Sequence, residues 1–95
     1  MKARFTPEAE KDLDEAIAWY DERGEGLGDE VLRRIDESVE LIERYPEMYP
    51  IVHRRMRRAI VRQFPYQVIY EVEPGEIVIY AVYHSARDPK EWKRR

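Results

Sequence analysis

Between Ala9 and Ile42 the apolar residues recur at helical spacing in two runs, and Arg23-Gly24-Glu25-Gly26-Leu27-Gly28 divides them. This pattern narrows the fold more than any other feature of the chain. Ala9, Leu13, Ala16, Ile17 and Tyr20 make one stripe; Val31, Leu32, Ile35, Val39 and Ile42 make the second, flanked by Leu41 and Tyr45. Thr6 is placed to cap the first helix, Pro7 suits its first position, and Glu8 complements its positive end. The glycines give the backbone the freedom a reversal needs. Asp29 is expected to cap the second helix, and Pro46 to end it. A hairpin of two amphipathic helices must bury both stripes, so the rest of the chain has to supply a cover.

The second half has the composition of that cover. Ile51–His53 reads as a short strand, and Arg57–Phe64, Tyr66–Val72 and Ile77–Tyr83 as longer ones rich in Val, Ile, Tyr and Phe. Glu73-Pro74-Gly75-Glu76 has the residues of a type II turn, which makes the last two strands an antiparallel hairpin. In the third of these strands Tyr66, Val68, Tyr70 and Val72 face one way, and Gln67, Ile69 and Glu71 the other. Ile77–Tyr83 is apolar on both sides and is expected to be central. Asp88-Pro89-Lys90-Glu91-Trp92 reads as a short final helix capped by Asp88. The predicted class is α+β: a short N-terminal strand, a helical hairpin, then a mainly antiparallel sheet of three to four strands and a short C-terminal helix, in a single domain over residues 1–95.

Ninety-five residues bury only about 60–65% of the unfolded surface, and no cysteine is present to reinforce so thin a core. The absence of cysteine fits a reducing compartment, and the expected location is the cytoplasm. No apolar run approaches the ~20 residues a membrane helix needs. Residues 1–48 carry 15 acidic and 7 basic side chains, a net of −8, whereas residues 49–95 carry 5 acidic and 10 basic, a net of +5. The molecule is therefore expected to present two electrostatic faces.

The densest charge cluster is Arg54, Arg55, Arg57, Arg58 and Arg62. Such crowding is relieved by an anionic partner, either nucleic-acid phosphates or carboxylates, both of which arginine binds in bidentate fashion. A sequence pI near 5.5 disfavours general nucleic-acid binding. Protection of an edge strand is the plain alternative. His84 and Arg87 follow the central strand, where loops often carry function. For His84 a structural hydrogen bond is as plausible as chemistry, and Arg87 is as readily paired with carboxylates of the first helix. His53 and His84 are the only histidines, and no nucleophile elbow or phosphate loop occurs, so no metal and no cofactor is expected. Most of the tyrosines read as packing residues, with Trp19 and Trp92 as anchors.

Over nearly its whole length the chain resembles the RelE/ParE superfamily of bacterial type II toxins. The likeness rests on Arg4-Phe5-Thr6-Pro7-Glu8-Ala9-Glu10-Lys11-Asp12-Leu13 and on the helical hairpin. It rests also on Phe64-Pro65-Tyr66-Gln67-Val68-Ile69-Tyr70-Glu71-Val72 and on Ile79-Tyr80-Ala81-Val82-Tyr83-His84-Ser85-Ala86-Arg87-Asp88-Pro89. The resemblance implies a first strand lying beside the last. It also implies one of two activities.

RelE-type members resemble metal-independent nucleases that cut mRNA on the ribosome. Their sheet arginine would fall at Gln67, their basic residue near Ala86, and their catalytic tyrosine near Trp92, which has no hydroxyl. Only His84, Arg62 and Arg87 remain to rebuild such a catalytic site. ParE-type, plasmid-stabilisation members resemble the His84–Arg87–Trp92 tail better, and they imply growth inhibition through binding of a target, DNA gyrase, rather than catalysis. On that reading Arg54, Arg55, Arg57, Arg58, Arg62, Arg87 and Trp92 form a surface for target and antitoxin. The implied antitoxin is an acidic segment that folds on the toxin and makes a hetero-oligomer with it. The ribosome and its mRNA are the partners implied by the alternative.

Overall fold

A computed structural model describes residues Met1–Arg95. The first helix, α1 (Pro7–Asp21), starts where the sequence places it: Thr6 is the N-cap, and its hydroxyl accepts from Ala9 N at 3.1 Å. The second, α2 (Leu27–Arg44), starts differently. Its N-cap is Gly26 at φ 81°, and Asp29 already lies in the first helical turn. The cap comes from the preceding helix instead, because Asp21 Oδ1 accepts from Gly28 N at 2.9 Å. Gly28 is required there, since a Cβ would stand 2.2 Å from that oxygen.

Five strands form one sheet in the order β1-β5-β4-β3-β2: β1 (Ala3–Phe5), β2 (Ile51–His53), β3 (Met56–Ile60), β4 (Tyr66–Glu73) and β5 (Glu76–His84). The N-terminal strand joins the other four and runs parallel to β5, pairing Ala3 with Ile77 and Phe5 with Ile79. The remaining pairs are antiparallel. The β4–β5 turn has Gly75 at φ 78°, the positive value that the type II reading demands. β3 is shorter than expected and stops at Ile60. Residues 61–65 are spent on a tight return, in which Val61 N donates to Tyr66 O and Tyr66 N to Phe64 O, with Gln63 at φ 75°. The final helix α3 is the single turn Lys90–Lys93, and Asp88 Oδ1 accepts from Lys90 N at 2.9 Å.

Both long helices pack on one face of the sheet. Val31, Ile35 and Ile42 of α2 and Ala9 and Ala16 of α1 bury themselves against Val68, Tyr70, Ile77, Ile79 and Val82. The opposite face carries a smaller cluster of Met56, Ile69, Ala81 and Tyr83, closed by Trp92 of α3. Alternation along β4 is the expected one, with Tyr66, Val68 and Tyr70 under the helices and Ile69 opposite.

β5 breaks its own alternation. The register slips between Ile69/Ala81 and Tyr70/Ile79, which leaves Tyr80 as the extra residue of a bulge. Ile77 and Ile79 face the helices before the bulge, and Val82 does so after it. The bulge thus reverses which residues of Ala81–His84 face which side.

Past Ile79, β1 no longer covers the edge of β5. Two side chains take over: Asp12 Oδ2 accepts from Val82 N at 3.1 Å, and Arg95 Nη1 donates to Tyr80 O at 2.9 Å. Arg95 also pairs with Asp12 at 2.6 Å, so one ion pair stands in for the missing strand. No helix is long and apolar enough to cross a membrane.

Candidate functional site

Strand alternation divides the arginine cluster. Arg57 lies opposite Tyr70 and points to the helix side, where its Nη1 donates to Tyr49 O at 2.6 Å and to Glu47 O at 3.1 Å. It holds the 46–50 connection against the sheet. Arg58 lies opposite Ile69 and points to the other face. Arg55 sits 3.8 Å from Glu71 and donates to Val72 O at 3.4 Å. Arg54 occupies the β2–β3 turn at φ 54° and is exposed, as is Arg62 in the return before β4. The arginine cluster that is dense in sequence is therefore dispersed in space. Adjacent strand residues face opposite sides, and turns carry the rest.

What the structure does bring together lies on the face away from α1 and α2. A cleft of about 300 Å³ opens between β3, β4 and the segment after β5, lined by Val52, Arg58, Gln67, Tyr83, Ser85, Arg87, Pro89, Trp92 and Lys93. Arg58, Arg87 and Trp92 of the expected surface meet here; Arg54, Arg55, Arg57 and Arg62 do not. Arg87 is paired with Glu91 at 2.9 Å on the rim, rather than with the carboxylates of α1. Gln67 Nε2 donates to Ser85 Oγ at 3.2 Å, so its amide is held by a hydroxyl whose own proton remains to be given. Trp92 is only 4% exposed. Its Nε1 and the Nε of Arg58 are both buried without a hydrogen-bond partner. Burial, reinforced by Asp88 and Glu91 and opposed by Arg87, pushes the Tyr83 phenol up from its ordinary value.

No carboxylate or imidazole lines this cleft. It offers cationic and neutral donors, and an oxyanion is the chemical group that such a lining holds. Gln67 was legible on this face from alternation along β4. Ser85 and Lys93 carried no sequence signal, because they reach the cleft only through the turn after β5.

His84 lies elsewhere. The bulge at Tyr80 turns it to the helix side, where its ring stands edge-on to Tyr66 at 5.2 Å and its Nδ1 accepts from Ala86 N at 3.1 Å. It lines a second cavity of about 440 Å³ with Asp12, Glu15, Trp19, Tyr66 and Arg87. Trp19 is 48% exposed at its mouth and carries the Arg23 guanidinium 3.5 Å above its ring. His84 and Arg87 share this cavity. Arg62 is outside it, so the three residues expected to rebuild a nuclease site are not assembled.

Residues 3–89 match the family model of the ParE toxin of type II toxin–antitoxin systems, parDE. A solved structure described as the chromosomal ParDE toxin–antitoxin system from P. aeruginosa superposes with a TM-score of 0.79. Identity is 20%, and the match covers 88% of this chain and 95% of that one, a likeness of fold. No curated protein matches the chain.

Proposed function

Because this chain belongs to the ParE toxin family of type II toxin–antitoxin systems, we propose that it inhibits growth by binding a cellular target, DNA gyrase, without catalysis of its own. A cognate antitoxin restrains it by forming a hetero-oligomer with it. The observation that carries this reading is the separation of His84 from Arg58 and Trp92 on opposite faces of the sheet. The donor-rich cleft has no proton acceptor in its lining, and the imidazole that would serve as one stands behind the sheet. Hydrolysis or transesterification at a phosphate needs donor and acceptor around one reacting oxygen. Binding needs only complementary charge and shape.

The acting unit is residues 1–95 as one domain, placed in the cytoplasm with both the target and the antitoxin. The antitoxin is read as an acidic segment that orders on the toxin, matching the excess of basic side chains after residue 49. The rival reading, a ribosome-dependent endoribonuclease, draws on the cavity that His84 and Arg87 share.

Expression without antitoxin separates the two. The expected outcome is loss of negative supercoiling in a reporter plasmid together with a DNA-damage response. Cleavage of translated mRNA, abolished by His84→Ala or Arg62→Ala, overturns the proposal.

A further inference from the structure

The geometry points to the cleft between Arg58 and Trp92 as a seat for one carboxylate of an acidic protein partner, a deepening that rests on the binding-toxin reading above. Three observations carry it. First, two N–H donors, Arg58 Nε and Trp92 Nε1, are buried and unpartnered on facing elements, β3 and α3. A buried donor left without an acceptor is costly, and few are found in folded proteins. Both residues line the one cleft, so a small rotation of either side chain offers an unused donor to an acceptor that comes from outside the chain. Second, the rest of the lining carries no anion and adds further donors: Arg87 and Lys93 supply charge at the rim, and Ser85 has a hydroxyl proton to give. Third, the cleft is small and its cationic charge is local. Arg87 is already paired with Glu91, and Arg55, the next cation along the sheet, is drawn to Glu71.

A polyanion such as RNA needs a track of phosphate contacts. Here the neighbouring arginines are spoken for or turned away, and the helix side carries most of the negative charge. A single carboxylate fits so local a set of donors better than a chain of phosphodiesters does.

The test uses the two tryptophans as paired reporters. In the ¹⁵N-labelled full chain, the Trp92 indole N–H signal is followed by NMR, with that of Trp19 as internal control. Two probes are titrated at constant ionic strength: a blocked peptide alternating leucine with aspartate or glutamate, and the dinucleotide UpU. The expected result is a saturable shift of the Trp92 signal by the peptide, with Trp19 unmoved and UpU weaker.

Arg58→Lys keeps the charge but loses the planar fork, and it is expected to weaken peptide binding about tenfold or more. Trp92→Phe keeps the ring packing and loses the donor, with a similar loss read by calorimetry. A larger response to UpU, a shift that never saturates, equal shifts at Trp19 and Trp92, or no shift at all each overturn the assignment. If the cleft is silent while supercoiling is still lost in cells, the toxin reading stands and only the cleft falls. If the peptide binds while mRNA is cut in cells, the reverse holds.

Discussion

Arg57 and Arg58 are neighbours in one strand, yet they live under different rules. On the helix side of the sheet, Arg57 meets the carbonyls of Glu47 and Tyr49, and its charge is absorbed by the fold. On the other side, Arg58 ends in a cleft with its Nε unsatisfied. The helix side is covered by two long helices and their connections, which bring backbone acceptors with them. The far side is covered by a single turn, Lys90–Lys93, which brings one large side chain and one carboxylate, Glu91, that is taken up by Arg87 and leaves Arg58 Nε unmatched. The difference teaches that charge density in sequence is a poor guide to a binding surface. What counts is which face has its polar groups already matched.

The sharpest way to break this contrast is to truncate one apolar anchor on each face. Ile79→Ala, under the helices, is expected to cost about 3 kcal/mol, from lost burial plus the residual cavity. Trp92→Ala is expected to cost less than that despite the larger side chain, because α3 undocks instead of leaving a void. Denaturant midpoints of the two variants decide it; equal losses would make the far face as integral to the fold as the helix side.

A subtler pair follows. Arg57→Met strands the 46–50 carbonyls and is expected to cost about 1–3 kcal/mol. Arg58→Met removes an orphaned donor and is expected to lie within about 0.5 kcal/mol of the parent, or above it. Similar losses at both positions would show that Arg58 already has a partner inside the chain.

At the edge between the two faces, Asp12→Ala leaves Val82 N–H without its acceptor and the Arg95 guanidinium with only Tyr80 O. An unfolding loss of about 1–2 kcal/mol is expected. Arg95→Ala is expected to cost less, because Asp12 keeps its bond to Val82.

The smallest effect near neutrality is on pH dependence. Tyr70 lies on the helix side and donates to Pro46 O at 2.6 Å; Tyr80 lies on the far side and donates to Glu73 and Glu71. Burial pushes both phenols up from 10.0 to about 12, with hydrogen bonding and charge from Glu73 adding at Tyr80. The folded state therefore holds these protons more tightly than the unfolded chain does. Their contribution to stability is complete below pH 10 and is lost as pH rises toward about 12. Tyrosinate absorbance measured alongside unfolding checks this. Glu73→Gln should lower the titration of Tyr80 and leave that of Tyr70 in place.

Much of the architecture was open to reading from residues alone. The two apolar stripes, the Thr6-Pro7 start and the Pro74-Gly75 turn each have a local physical cause, and each was found where the local rule put it. The splitting of Arg57 from Arg58 was legible too, since period-two alternation requires it, but counting charge along the chain hid it. The cap of α2 was not legible. Asp29 had the right chemistry, whereas the acceptor that serves Gly28 comes from Asp21, at the end of the other helix. The cleft was half legible: Arg58, Arg87 and Trp92 stood out as charged or aromatic, while Ser85 and Lys93 join them only through the path of the chain after β5.

By itself the sequence determined that a helical hairpin would be covered by an antiparallel sheet, because helical and strand periodicities are properties of neighbouring residues. Only the tertiary structure decided where His84 points. One extra residue at Tyr80 reverses the facing of everything beyond it in β5. Such a slip is set by how β5 pairs with β4, a relation between distant parts of the chain that no local pattern encodes.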